Sequence, residues 1–307
     1  MSNPTTNYID VKGKDLGLVF QPILLGTVYP NPTLMFISDG KDLNKIFANI
    51  SSGFSIDYNV GYSIQTSSGI KDLSKIFAKK ENFSAILILD SQYYTSGNTW
   101  SNTGTGGNTY NATLNNSPEF ISAGINSYFI LNGTDQSFIT SRPVQDDFTW
   151  NIWFRTSATG GTYGQWFQGL QIVGGDIETS TSADFGISIG TGYLMFGCGY
   201  TSGTPVQDYT IYSNSTYNNN KWHMVTATRE KSTGIIQIYV DGTLNDTLTT
   251  ATTGSLNGAD YTYFGREYFA SQNFFPGDLA IIQAYTTVLT SADITSIYNN
   301  QKVRYLN

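Results

Sequence analysis

The segment from Lys221 to Gly242, KWHMVTATREKSTGIIQIYVDG, constrains the fold more than any other stretch of this 307-residue chain. Trp222, Met224 and Thr226 alternate with His223, Val225 and Ala227. That period of two marks a half-buried strand, because successive side chains point to opposite faces. Arg229 to Gly234 then supplies polar turn chemistry and ends in a glycine, which tolerates positive φ. Ile236, Ile238 and Val240 form the next inward face, and Asp241-Gly242 is a strong tight-turn signal. The segment reads as two strands and the turn between them.

The surrounding sequence extends this pattern. Phe148, Trp150, Ile152 and Phe154 alternate with Thr149, Asn151, Trp153 and Arg155. Trp150 and Trp153 fall on opposite faces, which predicts a central strand covered on both sides. Phe185-Gly-Ile-Ser-Ile and Tyr193-Leu-Met-Phe follow at strand spacing. Many short strands separated by Gly and Asn turns predict an antiparallel β-sandwich. Near the end, Thr290-Ser291-Ala292-Asp293 reads as a helix N-cap, and Ile294, Ile297 and Tyr298 give a short amphipathic helix. Residues 95–117 have the Gly, Asn and Thr content of a linker, but Trp100 and Tyr110 predict an ordered, loop-rich entry to the sandwich.

A different region occupies residues 1–83. It carries an internal repeat, KDLxx[VI]F, at Lys14, Lys41 and Lys71, spaced by 27 residues (14 to 41) and 30 residues (41 to 71). The repeated positions are Asp15, Leu16 and Phe20; Asp42, Leu43 and Phe47; and Asp72, Leu73 and Phe77. The spacing predicts a helical turn capped by each Asp, with Leu and Phe on one face. Strand candidates precede each copy at Tyr8 to Val11, Leu34 to Ile37 and Tyr62 to Ile64. One such unit cannot bury its own apolar face, so the three are expected to pack on each other or on a partner. The fold class is therefore mainly β: an antiparallel sandwich over 84–307 after a small α+β repeat region over 1–83.

Composition narrows the function classes. Only 13% of residues are charged, against about a quarter in typical domains. Asn, Ser, Thr, Gly and Tyr take their place, as in β-rich extracellular or virion proteins. Aromatics at 14% argue against disorder. Residues 1–80 hold eight Lys and six acids, whereas the remainder holds eight basic residues and seventeen acids. The larger region thus lacks the basic face that nucleic-acid binding needs. The single cysteine, Cys198, permits no internal disulfide and reads as a small buried hydrophobe. The N-terminus MSNPTTNYIDVKGK has no apolar core of signal-peptide length, and no run reaches membrane-span length.

Catalytic chemistry finds little support. A glycosidase needs two carboxylates flanking the scissile bond. The five Glu (Glu81, Glu119, Glu178, Glu230 and Glu267) form no ExDxE-like cluster, and Asp176-Ile177-Glu178 reads as a solvated turn after Gly174-Gly175. His223, the only histidine, lies within a strand and is assigned to packing or a cross-strand hydrogen bond. No GxxxxGK[ST] phosphate loop is present. Glycan binding needs aromatic faces beside polar groups, and the candidates are Trp100, Tyr163, Trp166 and Tyr212.

Several segments resemble, in order, the laminin G-like (concanavalin A-like) jelly-roll family: AILILD from Ala85, YFILNGTDQSFIT, FTWNIWFRT, the 221–242 hairpin, and FFPGDLAIIQAYTTVLTSADITSIYNN. The resemblance implies a jelly roll over residues 84–307 and a binding or structural module without enzymatic activity. Members often bind Ca²⁺, which makes Asp135 and Asp278 the metal candidates. Many members, however, place an Asp where this chain has Ala280. The KDLxx[VI]F units resemble those of structural proteins of large DNA viruses and phages. Together these imply a virion structural protein, assembled in a host cytoplasm and anchored by its repeats to other virion proteins or to itself. The alternative is an extracellular or cell-surface carbohydrate-binding module.

Overall fold

A computed structural model of the chain describes residues 84–177, 183–200, 207–249, 251–269 and 272–306, together with the backbone of two short hairpins nearer the N-terminus. The chain divides into two units, Met1–Lys80 and Glu81–Asn307.

In the first unit β1 (Ile37–Ser38) pairs with β2 (Lys41–Asp42), and β3 (Ser63–Thr66) pairs with β4 (Gly69–Asp72). Of the strands predicted upstream of the second and third repeats, Ile37, Ser63 and Ile64 lie in these strands, while Leu34 to Phe36 and Tyr62 lie outside the described residues. Lys41-Asp42 and Lys71-Asp72 each lie in the return strand of a hairpin, and the residues after them, where the helical turns are expected, lie outside the described residues. Two residues separate the strands in both cases, Asp39-Gly40 and Ser67-Ser68, a loop length that selects a hairpin. Asp15, Leu16, Phe20, Leu43, Phe47, Leu73 and Phe77 lie outside the described residues.

The second unit begins with β5 (Leu87–Asp90), β6 (Thr99–Trp100), β7 (Ala112–Asn115), β8 (Glu119–Ile121), β9 (Tyr128–Asn132) and β10 (Ser137–Ser141). It continues with β11 (Phe148–Arg155), β12 (Leu170–Gly174), β13 (Ala183–Gly190), β14 (Tyr193–Tyr200) and β15 (Gln207–Thr216). It closes with β16 (His223–Glu230), β17 (Ile235–Val240), β18 (Thr243–Leu248), β19 (Tyr261–Phe264), β20 (Pro276–Tyr285) and an α-helix, α1 (Ser291–Gln301). Two antiparallel sheets result. One runs β15-β14-β13-β12-β19-β10-β7-β6; the other runs β18-β17-β16-β11-β20-β9-β8, with β5 also paired to β20.

The sandwich core lies between the sheets. β11 supplies Phe148, Trp150, Ile152 and Phe154; β16 supplies Val225 and Ala227; β17 supplies Ile236, Ile238 and Val240. The opposite faces of β11 and β16 are buried as well, and that of β17 is buried at Tyr239. Trp153, Trp222, Met224 and Tyr239 pack with Ile294 and Ile297 of α1 in a second apolar layer. The hairpin strand β16 is therefore buried on both faces, whereas its alternation predicts one. The helix that covers it lies some sixty residues later in the sequence. That helix starts where expected: the Thr290 hydroxyl accepts from the Asp293 N–H, and Asp293 reaches back to the Thr290 N–H, a reciprocal cap. Its Gln301 accepts a hydrogen bond from Trp153 Nε1 at 2.7 Å. Asp241 (φ 51°) and Gly242 (φ 77°) form the predicted tight turn, with both residues in the left-handed region.

Arg229, which the sequence places in a polar turn, is fully buried near the end of β16. Its guanidinium donates to the carbonyls of Asp146 (2.7 Å), Thr252 (3.0 Å) and Gly254. Fixed donors thereby satisfy carbonyls of two loops, 145–147 and 251–255, that lack sheet partners. Cys198 is buried in the core, and burial pushes its thiol up to about 12. No helix among the described residues is long and apolar enough to cross a membrane.

Candidate functional site

The two sheets meet along one side of the sandwich, where both end in an edge strand, β15 and β18. An edge strand carries unpaired backbone groups. Here the side chains of β18 take them up. The Tyr212 N–H donates to Asp246 Oδ2 (3.2 Å) and the Asn214 N–H to Asn245 Oδ1 (3.1 Å). The Tyr217 hydroxyl reaches the same Asn245 oxygen at 3.4 Å.

Beside this seam stands a group of three tyrosines. In β14, Leu194, Phe196 and Cys198 enter the core, so Tyr193 faces outward; in β15, Ile211 enters the core and Tyr212 faces outward. Tyr163 comes from the loop between β11 and β12. Its ring centroid lies 4.9 Å from Tyr212 and 5.1 Å from Tyr193. Tyr163 is 50% exposed. The Tyr212 hydroxyl donates to the Gly164 carbonyl, which ties the loop to the sheet. Burial, Tyr163 and Asp246 raise the Tyr212 pKa, so the hydroxyl stays a donor at neutral pH.

Trp166 holds that loop in place. Its ring lies across Gly186 and Gly197, where a Cβ would come within 2.7 and 2.2 Å of the indole. Only glycines leave a trough deep enough for it. The Trp166 N–H donates to Thr210 Oγ1 (3.1 Å), and its carbonyl accepts from Gln171 Nε2 (2.9 Å) and Ser188 Oγ. Trp166 is fully buried, so it anchors the site and offers no face to a ligand. Trp100 is likewise fully buried, packed against Phe129 and Phe138. Of the four glycan candidates, the structure brings Tyr163 and Tyr212 together and adds Tyr193. The strand alternation of Tyr193-Leu194-Met195-Phe196 carries the signal that would have found it.

The metal candidates have other partners. Asp278 pairs with Arg155 at 2.6 Å, and burial raises its pKa while the guanidinium draws it back. Arg155 in turn lies 5.0 Å from the rings of Tyr128 and Trp222. Asp135 accepts from Asn132 Nδ2 (2.8 Å) within its own turn. A carboxylate neutralised by arginine and another closed into a turn do not form the oxygen cage that Ca²⁺ needs. No group of three or more His, Cys, Asp or Glu side chains suited to a metal occurs among the described residues.

Carboxylates do gather elsewhere. Asp176, Asp184 and Glu267 are 9%, 2% and 4% exposed. Burial, then Asp184 and Glu267, push Asp176 up to about 8, and burial with Asp208 pushes Asp184 up to about 7, against the Ile177 N–H that donates to it. Asp176 is thus part of a buried cluster and not of a solvated turn; Glu178 lies outside the described residues. Low dielectric disfavours adjacent negative charges, so Asp176 and Asp184 retain protons near neutrality. His223 Nδ1 lies 2.7 Å from Asp241 Oδ2 and Nε2 lies 3.1 Å from Asn219 Oδ1. Both ring nitrogens are therefore taken up by neighbouring side chains.

A surface depression of about 530 Å³ is lined by Tyr110, Arg142, Gln145, Asp146, Asp147 and Thr286. Its charges are engaged, with Arg142 on the Ala259 carbonyl (2.6 Å) and Asp146 on Lys231 (3.1 Å). It presents one aromatic ring, against three in the tyrosine group.

The binding domain of Paraclostridial Mosquitocidal Protein 1 shares the fold, with a TM-score of 0.53, 15% identity, and coverage of 71% of this chain and 52% of that one. The botulinum neurotoxin serotype D binding domain matches at TM-score 0.53 and 17% identity, over 73% of this chain and 53% of that one. The botulinum neurotoxin DC binding domain, solved in complex with SialylT, matches at 0.51 and 18%, over 71% and 52%. At these identities the likeness is one of fold, and the chain spans about half the length of those domains. Comparison with curated protein sequences finds no match. The family model described as the concanavalin A-like lectin/glucanases superfamily, in its laminin G form, matches residues 124–295. That match spans more than half of the chain, and the two-sheet architecture agrees with it: this protein belongs to the concanavalin A-like lectin/glucanase superfamily.

Proposed function

We propose that this chain is a non-enzymatic carbohydrate-binding module whose ligand rests on Tyr163, Tyr193 and Tyr212. The observation that carries the reading is the partly exposed tyrosine group itself, held by a buried anchor beside a seam of Asn and Asp side chains. Aromatic faces with a polar rim suit a sugar, whose C–H face stacks while its hydroxyls take hydrogen bonds. The lectin-like fold supports the reading, and one structural neighbour is a toxin binding domain in complex with SialylT. The nearest thing to a catalytic pair, Asp176 and Asp184, is buried, at 9% and 2% exposure, which supports binding without catalysis. The test is a glycan array followed by calorimetry on the full chain, with Tyr163→Ala and Tyr193→Ala alongside. Binding that falls at least tenfold in both variants, with melting temperatures near that of the parent, is the expected result. Binding indifferent to both substitutions would remove the site.

A second reading is a virion structural role in which the N-terminal repeats anchor the module. The recurrence of a hairpin at two successive Lys-Asp copies favours a repeated assembly element. Mass spectrometry of purified particles decides it, since absence of the chain from virions ends that reading. The two roles are compatible.

A further inference from the structure

Resting on the carbohydrate-binding reading, we infer that the tyrosine site selects uncharged glycans and disfavours anionic ones such as those ending in sialic acid or bearing sulfate. The inference comes from which charges surround the rings. An anionic sugar needs a cation or an array of fixed donors to replace the water it gives up. The carboxylate in contact with the site is Asp246, whose Oδ2 accepts from the Tyr212 N–H and whose Oδ1 accepts from the Thr247 N–H. Further along the same seam, Asp241 accepts from His223 and the Met224 N–H.

Seven of the eight basic residues of the second unit have side-chain partners away from the rings, and the eighth, Lys221, is exposed. Between residues 81 and 307 the chain has eight of them against seventeen acids. Arg155, Lys231 and Arg304 pair with Asp278, Asp146 and Asp90. Arg229 is buried on loop carbonyls, and Arg266 lies 3.9 Å from the Tyr263 ring. None of the contacts described for any basic residue reaches Tyr163, Tyr193 or Tyr212. An anionic ligand would therefore meet a negative field with no counter-charge in the described contacts. A neutral pyranose meets the half-exposed Tyr163 ring with its part-buried neighbours Tyr193 and Tyr212, and the carbonyl and carboxylate acceptors of Gly164 and Asp246, to which its hydroxyls can donate.

The experiment pairs glycans that share a neutral core and differ only in a terminal sialic acid or a sulfate. Affinities for the full chain are read by calorimetry at low and at physiological salt. The neutral partner is expected to bind at least tenfold more tightly, and added salt should narrow the gap as it screens the field. Asp246→Asn keeps an acceptor for the Tyr212 N–H and removes the charge. It should raise affinity for the anionic partner roughly fivefold, the scale of one unit charge at a few ångströms in water. Preference for the anionic partner, or an Asp246→Asn variant with an unchanged gap, overturns the charge inference while Tyr163→Ala still abolishes binding. Failure of every glycan to bind, or binding insensitive to Tyr163→Ala, overturns the underlying site and this inference with it.

Discussion

The sheet that runs from β15 to β6 carries two polar groupings that behave in opposite ways. At its edge, Tyr163, Tyr193 and Tyr212 are partly exposed, and their neighbouring backbone groups are capped by β18 side chains. Around β13, Asp176, Asp184 and Glu267 are buried against one another, and two of them are pushed far above the ordinary carboxylate range. The first grouping leaves amphipathic surface over for a ligand. The second is buried to 9% exposure or less, so its consequences fall on stability. Exposure, not residue type, separates a candidate binding surface from a proton-storing interior.

The comparison breaks most visibly at Trp166, which anchors the loop bearing Tyr163. Trp166→Ala empties the Gly186–Gly197 trough and should cost about 3–5 kcal/mol, read by chemical denaturation, with loss of any glycan binding. A fully stable variant would show that the trough does not anchor the loop.

The carboxylate side is tested by pH. The folded-state values of Asp176 and Asp184 lie above the ordinary value of 3.8, at about 8 and about 7. Between those limits the folded chain holds protons that the unfolded chain has released, so unfolding free energy falls as pH rises through that window. The melting temperature should decline from pH 5 to pH 9 by an amount corresponding to a few kcal/mol, on the order of one to two pH units of linkage. Asp176→Asn should flatten the curve and raise stability above pH 8. A profile that rises over this range, or is unaltered by the substitution, removes the cluster as its source.

Smaller effects sharpen the contrast. Thr290→Ala removes the reciprocal cap of α1 and should cost about 1 kcal/mol without altering glycan affinity. Tyr163→Ala, at a half-exposed position, should change stability by less than about 0.5 kcal/mol while reducing binding at least tenfold. A large stability loss there would mean that the ring serves packing before recognition.

Much of the sandwich is legible along the chain because its signals are local. The alternation around Trp150 and Trp153 announces a strand buried on both faces, and the structure places one face in the main core and the other under α1. Thr290 and Asp293, three residues apart, suffice for the cap. The Asp241-Gly242 turn follows from the ease with which these residues adopt positive φ. The glycan candidates divide for the same reason: composition marks Trp100 and Trp166 as loop aromatics, but not what the loop folds against. Tyr193 was legible only through the alternation of its strand.

The sequence by itself determined a two-sheet antiparallel sandwich, its central strand, its closing helix and the acidic charge balance of residues 81–307. Each of these rests on periodicity, caps, turn residues or charge count, which act within a few residues or over the chain as a whole. Only the tertiary structure decided that Arg229 is buried on loop carbonyls, that Asp278 is neutralised by Arg155, that Asp176 meets Asp184 and Glu267, and that three tyrosines from separate segments share one exposed face. Those outcomes depend on which distant segments sheet pairing and loop packing bring together, and burial then sets the protonation, pairing and exposure of each group.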